Sequence, residues 1–164
     1  MAEDVLPGTG TEDGAGDSDN TGLIAAGVAA LEAGRRDEAE SAFRKVLARE
    51  PDNSSALRRL GVVVYMKGDY EDARGLLDMA IDLAPEDADA YNNLAAILLD
   101  RGELTDAEIN FRRARELDPA DTNINFNLGL ILLQRGNLVE ARSCFEVVVA
   151  GQPDDADSHH NLGM

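Results

Sequence analysis

The sequence predicts an all-α solenoid of stacked antiparallel helix pairs, and three observations predict it. Pro51, Pro85, Pro119 and Pro153 recur every 34 residues; Gly34, Gly68, Gly102 and Gly136 keep that step, as do Ala39, Ala73, Ala107 and Ala141. Between these markers apolar residues follow helical spacing. Three residue types in one register over four copies form a repeat signal, not a chance pattern.

Taken in order, residues 1–19 are acidic and glycine-rich, with no basic residue. Such a segment buries too little apolar surface to offset the entropy of ordering it, so a disordered tail is expected. Its glycines are not a phosphate loop, because no strand and no lysine flank them. Repeats are expected at 20–53, 54–87, 88–121 and 122–155, each a helix pair, with a partial fifth at 156–164. In the second, Leu57, Leu60 and Val64 make one stripe and Ala73, Leu77 and Ala80 the next. The third has Tyr91, Leu94 and Leu98, then Ala107, Phe111 and Ala114; the fourth has Leu128 and Leu132, then Ala141, Phe145 and Val148. Valine runs at 62–64 and 147–149 lie inside these stripes and read as helix, not strand.

Each marker has a physical task. The glycine can adopt the left-handed conformation that ends the first helix and allows a tight turn. The alanine comes early in the second helix, where bulk would push the pair apart. The proline stops the second helix. Acids around it, as in "DPAD", suit the start of the next one. No single pair buries its own apolar face, so neighbouring pairs must supply the core.

Composition narrows the function. The formal net charge is −17, from 32 acidic and 15 basic residues, which would repel a phosphate backbone and speaks against nucleic acid. Lone Cys144 permits no internal disulfide and no metal-ligand pair. His159 and His160 point about 100° apart on a helix and cannot clamp one metal together; disorder or exposure at the chain end is expected for both. No run approaches membrane-spanning length, and the N-terminus lacks a secretory pattern, so a cytoplasmic protein is the expectation. No paired carboxylates sit in an apolar setting to suggest acid–base work. Neither an enzyme nor a cofactor is expected.

The pattern resembles the tetratricopeptide repeat family over residues 20–164. Its motif is matched by Tyr91, Leu94, Ala95, Leu98, Ala107, Phe111 and Pro119, and again by Leu128, Gly129, Leu132, Ala141, Phe145 and Pro153. The fourth unit departs at Asn125, where a large residue is usual, and the first has Ala26 and Ala30 where bulk is expected. The resemblance implies a right-handed solenoid whose first helices line a concave surface, and a role in protein–protein interaction.

The stretch "YNNLAAILLDRG" carries an amide at Asn93 that returns at the same phase as Asn127 and Asn161, with Arg59 as the second unit's equivalent and Ala25 as the first's. A carboxamide offers an acceptor and two donors, the complement of a peptide group. The row therefore suits the backbone of an extended peptide, and the same amides could instead bond to the neighbouring repeat and hold the stack. By family phase Arg58, Tyr65, Asn92, Phe126 and Leu130 share that face. Carboxylate-ended chaperone tails, bound by some family members, are disfavoured, because Ile24, Val28 and Asp89 stand where basic residues and an amide are needed. The expected partner is a protein or peptide, with no nucleic acid and no membrane.

Two alternatives remain open. The repeats are also similar to the substrate-presenting arms of O-linked N-acetylglucosamine transferases, so the chain could be the non-catalytic arm of a longer enzyme. An incomplete fifth repeat could also expose apolar surface for self-association.

Overall fold

The computed structural model describes residues 13–154 and 156–163. In chain order its helices are α1 (Asp13–Glu32), α2 (Arg36–Arg49), α3 (Ser54–Met66), α4 (Tyr70–Leu83), α5 (Ala88–Asp100), α6 (Leu104–Leu117), α7 (Thr122–Gln134), α8 (Leu138–Gly151) and α9 (Ala156–Leu162). No strand occurs among the described residues. Helices α3, α5 and α7 begin 34 residues apart, and so do α2, α4, α6 and α8. The two valine runs lie within α3 and α8. Most of the tail expected at 1–19 lies outside the described residues, while 13–19 run into α1. There Asp19 pairs with Arg49, and the Asn20 amide donates to Glu50 Oε1 at 2.6 Å.

The turn glycines behave as their chemistry requires. Gly34, Gly68, Gly102 and Gly136 have φ of 72°, 94°, 77° and 78°, a region where an L side chain is strained. Each second helix ends two residues before its proline. The first helices then start from caps: the side chains of Asn53, Asp87 and Asp121 accept from the backbone N–H of Ala56, Ala90 and Ile124. The carboxylate caps also face the positive end of the helix dipole.

Packing is between neighbours only. Each first helix lies against its own second helix and against the preceding one, and α3 also touches α5 directly. Ala39, Ala73, Ala107 and Ala141 are fully buried at the first contact of each pair, and Phe43, Leu77, Phe111 and Phe145 fill the next layer. A Cβ on Gly27 or Gly129 would lie 2.6 or 2.8 Å from the ring of Phe43 or Phe145, so these helices approach over glycine.

Two ladders that the sequence analysis did not anticipate bind repeat to repeat. The residues before Gly68, Gly102 and Gly136 are Lys67, Arg101 and Arg135, each at the end of a first helix, whereas Ala33 precedes Gly34. Lys67 Nζ reaches back to Asp37 (2.8 Å) and Glu40 (2.7 Å), Arg101 pairs with Glu71, and Arg135 meets Glu108 (3.0 Å) and Thr105 (2.8 Å). The second ladder explains Asn125. Tyr91, Asn125 and His159 share one phase, and each reaches the carbonyl of the proline six residues earlier, at 3.4, 2.9 and 2.7 Å. Asn125 is buried because it also donates to the Asp121 carbonyl at 2.8 Å, so one amide satisfies two backbone acceptors. The expectation that His159 is simply exposed is corrected: it is half-buried in this contact, while His160 is exposed.

Candidate peptide-binding face

The exposed sides of α3, α5 and α7 form the face on which the predicted site residues lie, except Asn161, which continues the row on α9. Its residues sit in three registers, because one helix turn and the 34-residue repeat place Arg58, Asn92 and Phe126 at one level, with Arg59, Asn93 and Asn127 beside them and Tyr65 one to two turns on. The structure brings several of these together. Arg58 spans the junction to the next repeat, with Nε 2.8 Å from Asp87 Oδ2 and a terminal nitrogen 3.0 Å from Asp89. Its Nε is buried and not aligned for a hydrogen bond, so this contact is an ion pair only. The Tyr65 hydroxyl donates to Asp100 Oδ2 at 2.6 Å, and its ring packs edge-on against Tyr70. Burial, and then the Asp100 carboxylate, push the phenol up to about 12.

The amides divide between two tasks. Asn127 Nδ2 donates to Asn92 Oδ1 across the α5–α7 junction at 3.2 Å. One donor of Asn127 and one acceptor of Asn92 are thus occupied, and the remaining groups of both stay available. Asn93 and Asn161 are half-buried, and their side chains make no hydrogen bond among the described residues. Arg59 has only a long contact, Nε to Ser55 Oγ at 3.4 Å. The Asn92–Asn127 pairing was outside the reach of phase arithmetic, since the two residues are 35 apart and not 34.

Toward α7 the face turns apolar. Phe126 is half-buried and stacks edge-on against Phe145, with ring centroids 6.1 Å apart. Leu130 and Leu133 continue the stripe and are exposed. At the far end α9 packs on α8, and Val149, Ala150 and Leu162 line a shallow opening with Arg142 and Glu146.

Reactive chemistry is sparse. Cys144 is fully buried, and burial pushes its thiol up against the opposing pull of Arg115, whose guanidinium donates to Sγ at 3.3 Å. Among the described residues no three His, Cys, Asp or Glu side chains gather to hold a metal ion, and no helix is long and apolar enough to cross a membrane.

Comparison with known proteins agrees with this geometry. A tetratricopeptide repeat model matches residues 24–88, 68–122 and 94–156. No curated protein sequence matches. Among solved structures, MamA is 26% identical with a TM-score of 0.71, over 84% of this chain and 80% of its own. YrrB, described as a TPR protein with an unusual peptide-binding site, is 26% identical with a TM-score of 0.69, over 90% of this chain and 76% of its own. A mutant of the Thermobaculum terrenum O-GlcNAc transferase is 27% identical with a TM-score of 0.75, over 84% of this chain and 27% of the enzyme.

Proposed function

The chain belongs to the tetratricopeptide repeat family, and from that premise we propose that it is a protein-interaction scaffold that holds an extended peptide across α3, α5 and α7. The observation that carries this reading is the amide row. Asn93 and Asn161 keep their full hydrogen-bonding capacity on an accessible face, and the Asn92–Asn127 pair keeps part of its own. A polar side chain without an internal partner at a repeating position is free to bond a ligand group, here the alternating N–H and C=O of a peptide backbone. Each such bond contributes on the order of 1 kcal/mol net, so the row holds a strand without dictating its sequence. The similarity to YrrB, a protein with a peptide-binding site, supports the same reading.

The test separates binding from stacking. Asn93→Ala removes a side chain with no internal partner, so peptide affinity falls while the melting curve is unchanged. Asn127→Ala removes the bond to Asn92 as well, and should lower both. If Asn93→Ala leaves peptide capture intact, the amide row is not the binding device.

A second reading has support in the transferase similarity: the repeats present substrates to a catalytic domain in the same polypeptide. It predicts a glycosyltransferase domain in the same reading frame. Self-association through the α8–α9 end is a third arrangement, and sedimentation of the chain against a Leu162→Asp variant tests it.

A further inference from the structure

The two ends of the peptide-binding face differ in chemistry, and that difference bears on what it binds. Helix α7 is apolar on two sides. Ile124, Leu128, Ile131 and Leu132 are buried in the core, while Phe126, Leu130 and Leu133 run at helical spacing along the open side, where the two leucines are 36% and 37% exposed. A helix apolar on both sides is built to be covered on both sides. At α3 the open side carries a cation instead. Arg36, Lys45 and Arg59 are the basic residues that pair with no carboxylate among the described residues; the first two are exposed and Arg59 is half-buried.

An unpaired, half-buried guanidinium is unexpected in a chain with 32 acidic residues. Carboxylates that bond to other side chains of α3 are engaged: Asp87 and Asp89 hold Arg58, and Asp100 accepts from Tyr65. Arg59 also occupies the register of the amides Asn93 and Asn127, so a strand lying along that row passes over it.

We infer that this face takes an extended peptide with an acidic residue at Arg59 and an apolar side chain over Phe126, Leu130 and Leu133. This rests on the peptide-binding reading above and adds the ligand's chemistry to it. Neighbouring first helices are in contact, and packed helices lie ~8–10 Å apart, so α3 to α7 spans roughly 16–20 Å. An extended chain advances ~3.3 Å per residue, which places the acidic and apolar residues about five or six positions apart. The guanidinium fork suits a carboxylate, with two parallel hydrogen bonds. The overall charge of −17 acts the other way at long range and speeds basic partners. At contact distance, however, the acids that hold Arg58 and Tyr65 already have their donors, and Arg59 has no carboxylate partner among the described residues.

The test is selection from a random peptide library on the intact chain, with peptides of about twelve residues, long enough to cross three helices at ~3.3 Å per residue. Bound sequences should be enriched in an acidic and an apolar residue at a fixed separation of about five or six, in one chain direction. Arg59→Gln should abolish the acidic preference, weakening the best peptide about tenfold, and leave the apolar preference intact. Leu130→Ser should do the reverse. Enrichment of basic residues, or binders indifferent to Arg59→Gln but weakened by Asn93→Ala, would overturn this inference and leave the amide-row reading standing. Failure of the library to yield any binder would overturn both.

Discussion

Asn125 and Tyr65 show how single side chains carry the junctions between repeats. Asn125 is 1% exposed and gives both its donors to backbone carbonyls, at Pro119 and Asp121. Asn125→Ala removes both side-chain hydrogen bonds, leaving the Asp121 carbonyl only the backbone N–H of residue 125, and opens a small cavity, and should cost about 1–2 kcal/mol. Asn125→Leu restores the volume that Leu57 supplies at the same phase and should recover part of that loss; chemical denaturation of the two variants measures both. Tyr65 makes a different prediction. Its phenol is raised to about 12, so the stability from the contact with Asp100 is intact below the ordinary value of 10.0 and is lost as the pH rises through about 12. The chain has three tyrosines and no tryptophan. An alkaline absorbance titration should therefore show a late phenolate step that Tyr65→Phe removes. At this scale the sequence was only half legible. That Asn125 breaks the repeat pattern could be read from the motif; that it replaces bulk with two hydrogen bonds depends on where the Pro119 carbonyl points, and no spacing rule encodes that.

Between elements, the clearest coupling is at α6 and α8. Glu140, near the start of α8, accepts from Arg112 at 2.8 Å and from Arg115 at 2.8 Å, and Arg112 also pairs with Glu108. Hydrogen bonds from Arg112 lead in holding the carboxyl down at about 2, against burial, with Arg115 adding to them. A depressed carboxyl contributes stability that is full above its ordinary 4.5 and is lost as the pH falls through about 2. Glu140→Gln should thus cost roughly 1 kcal/mol at neutral pH once screening is allowed for. The gap to the parent should close over that acid window, as urea denaturation at neutral and at acid pH can show. The helices themselves were legible because glycine, alanine and proline each act locally and recur. Helix ends followed the prolines, and the caps followed the acids beside them. The cation ladder of Lys67, Arg101 and Arg135 was visible as a basic residue before three of the four turn glycines, but its acceptors lie about 30 residues back, where only the fold makes them neighbours.

As a whole molecule, the stack holds together through adjacent contacts, so order should fall toward its ends. Helix α9 has seven residues, too few to persist alone, and packs chiefly on α8. Amide exchange should be slowest in α3–α6 and fastest in α9; uniform protection along the chain would contradict a one-dimensional stack. The acidic excess sets a second expectation. Adding moderate salt should raise the melting temperature, because the net repulsion of a −17 chain is screened more than its close ion pairs. The cation ladder, finally, makes the units unequal as building blocks. A second copy of 88–121 spliced in after the first would meet Thr105 and Glu108, as Arg135 does now. A unit added beyond α8 would bring its cation to Val139 and Arg142, which occupy those positions in the fourth repeat and offer no acceptor. Lengthening this protein from the middle should therefore succeed where extension from that edge leaves a seam.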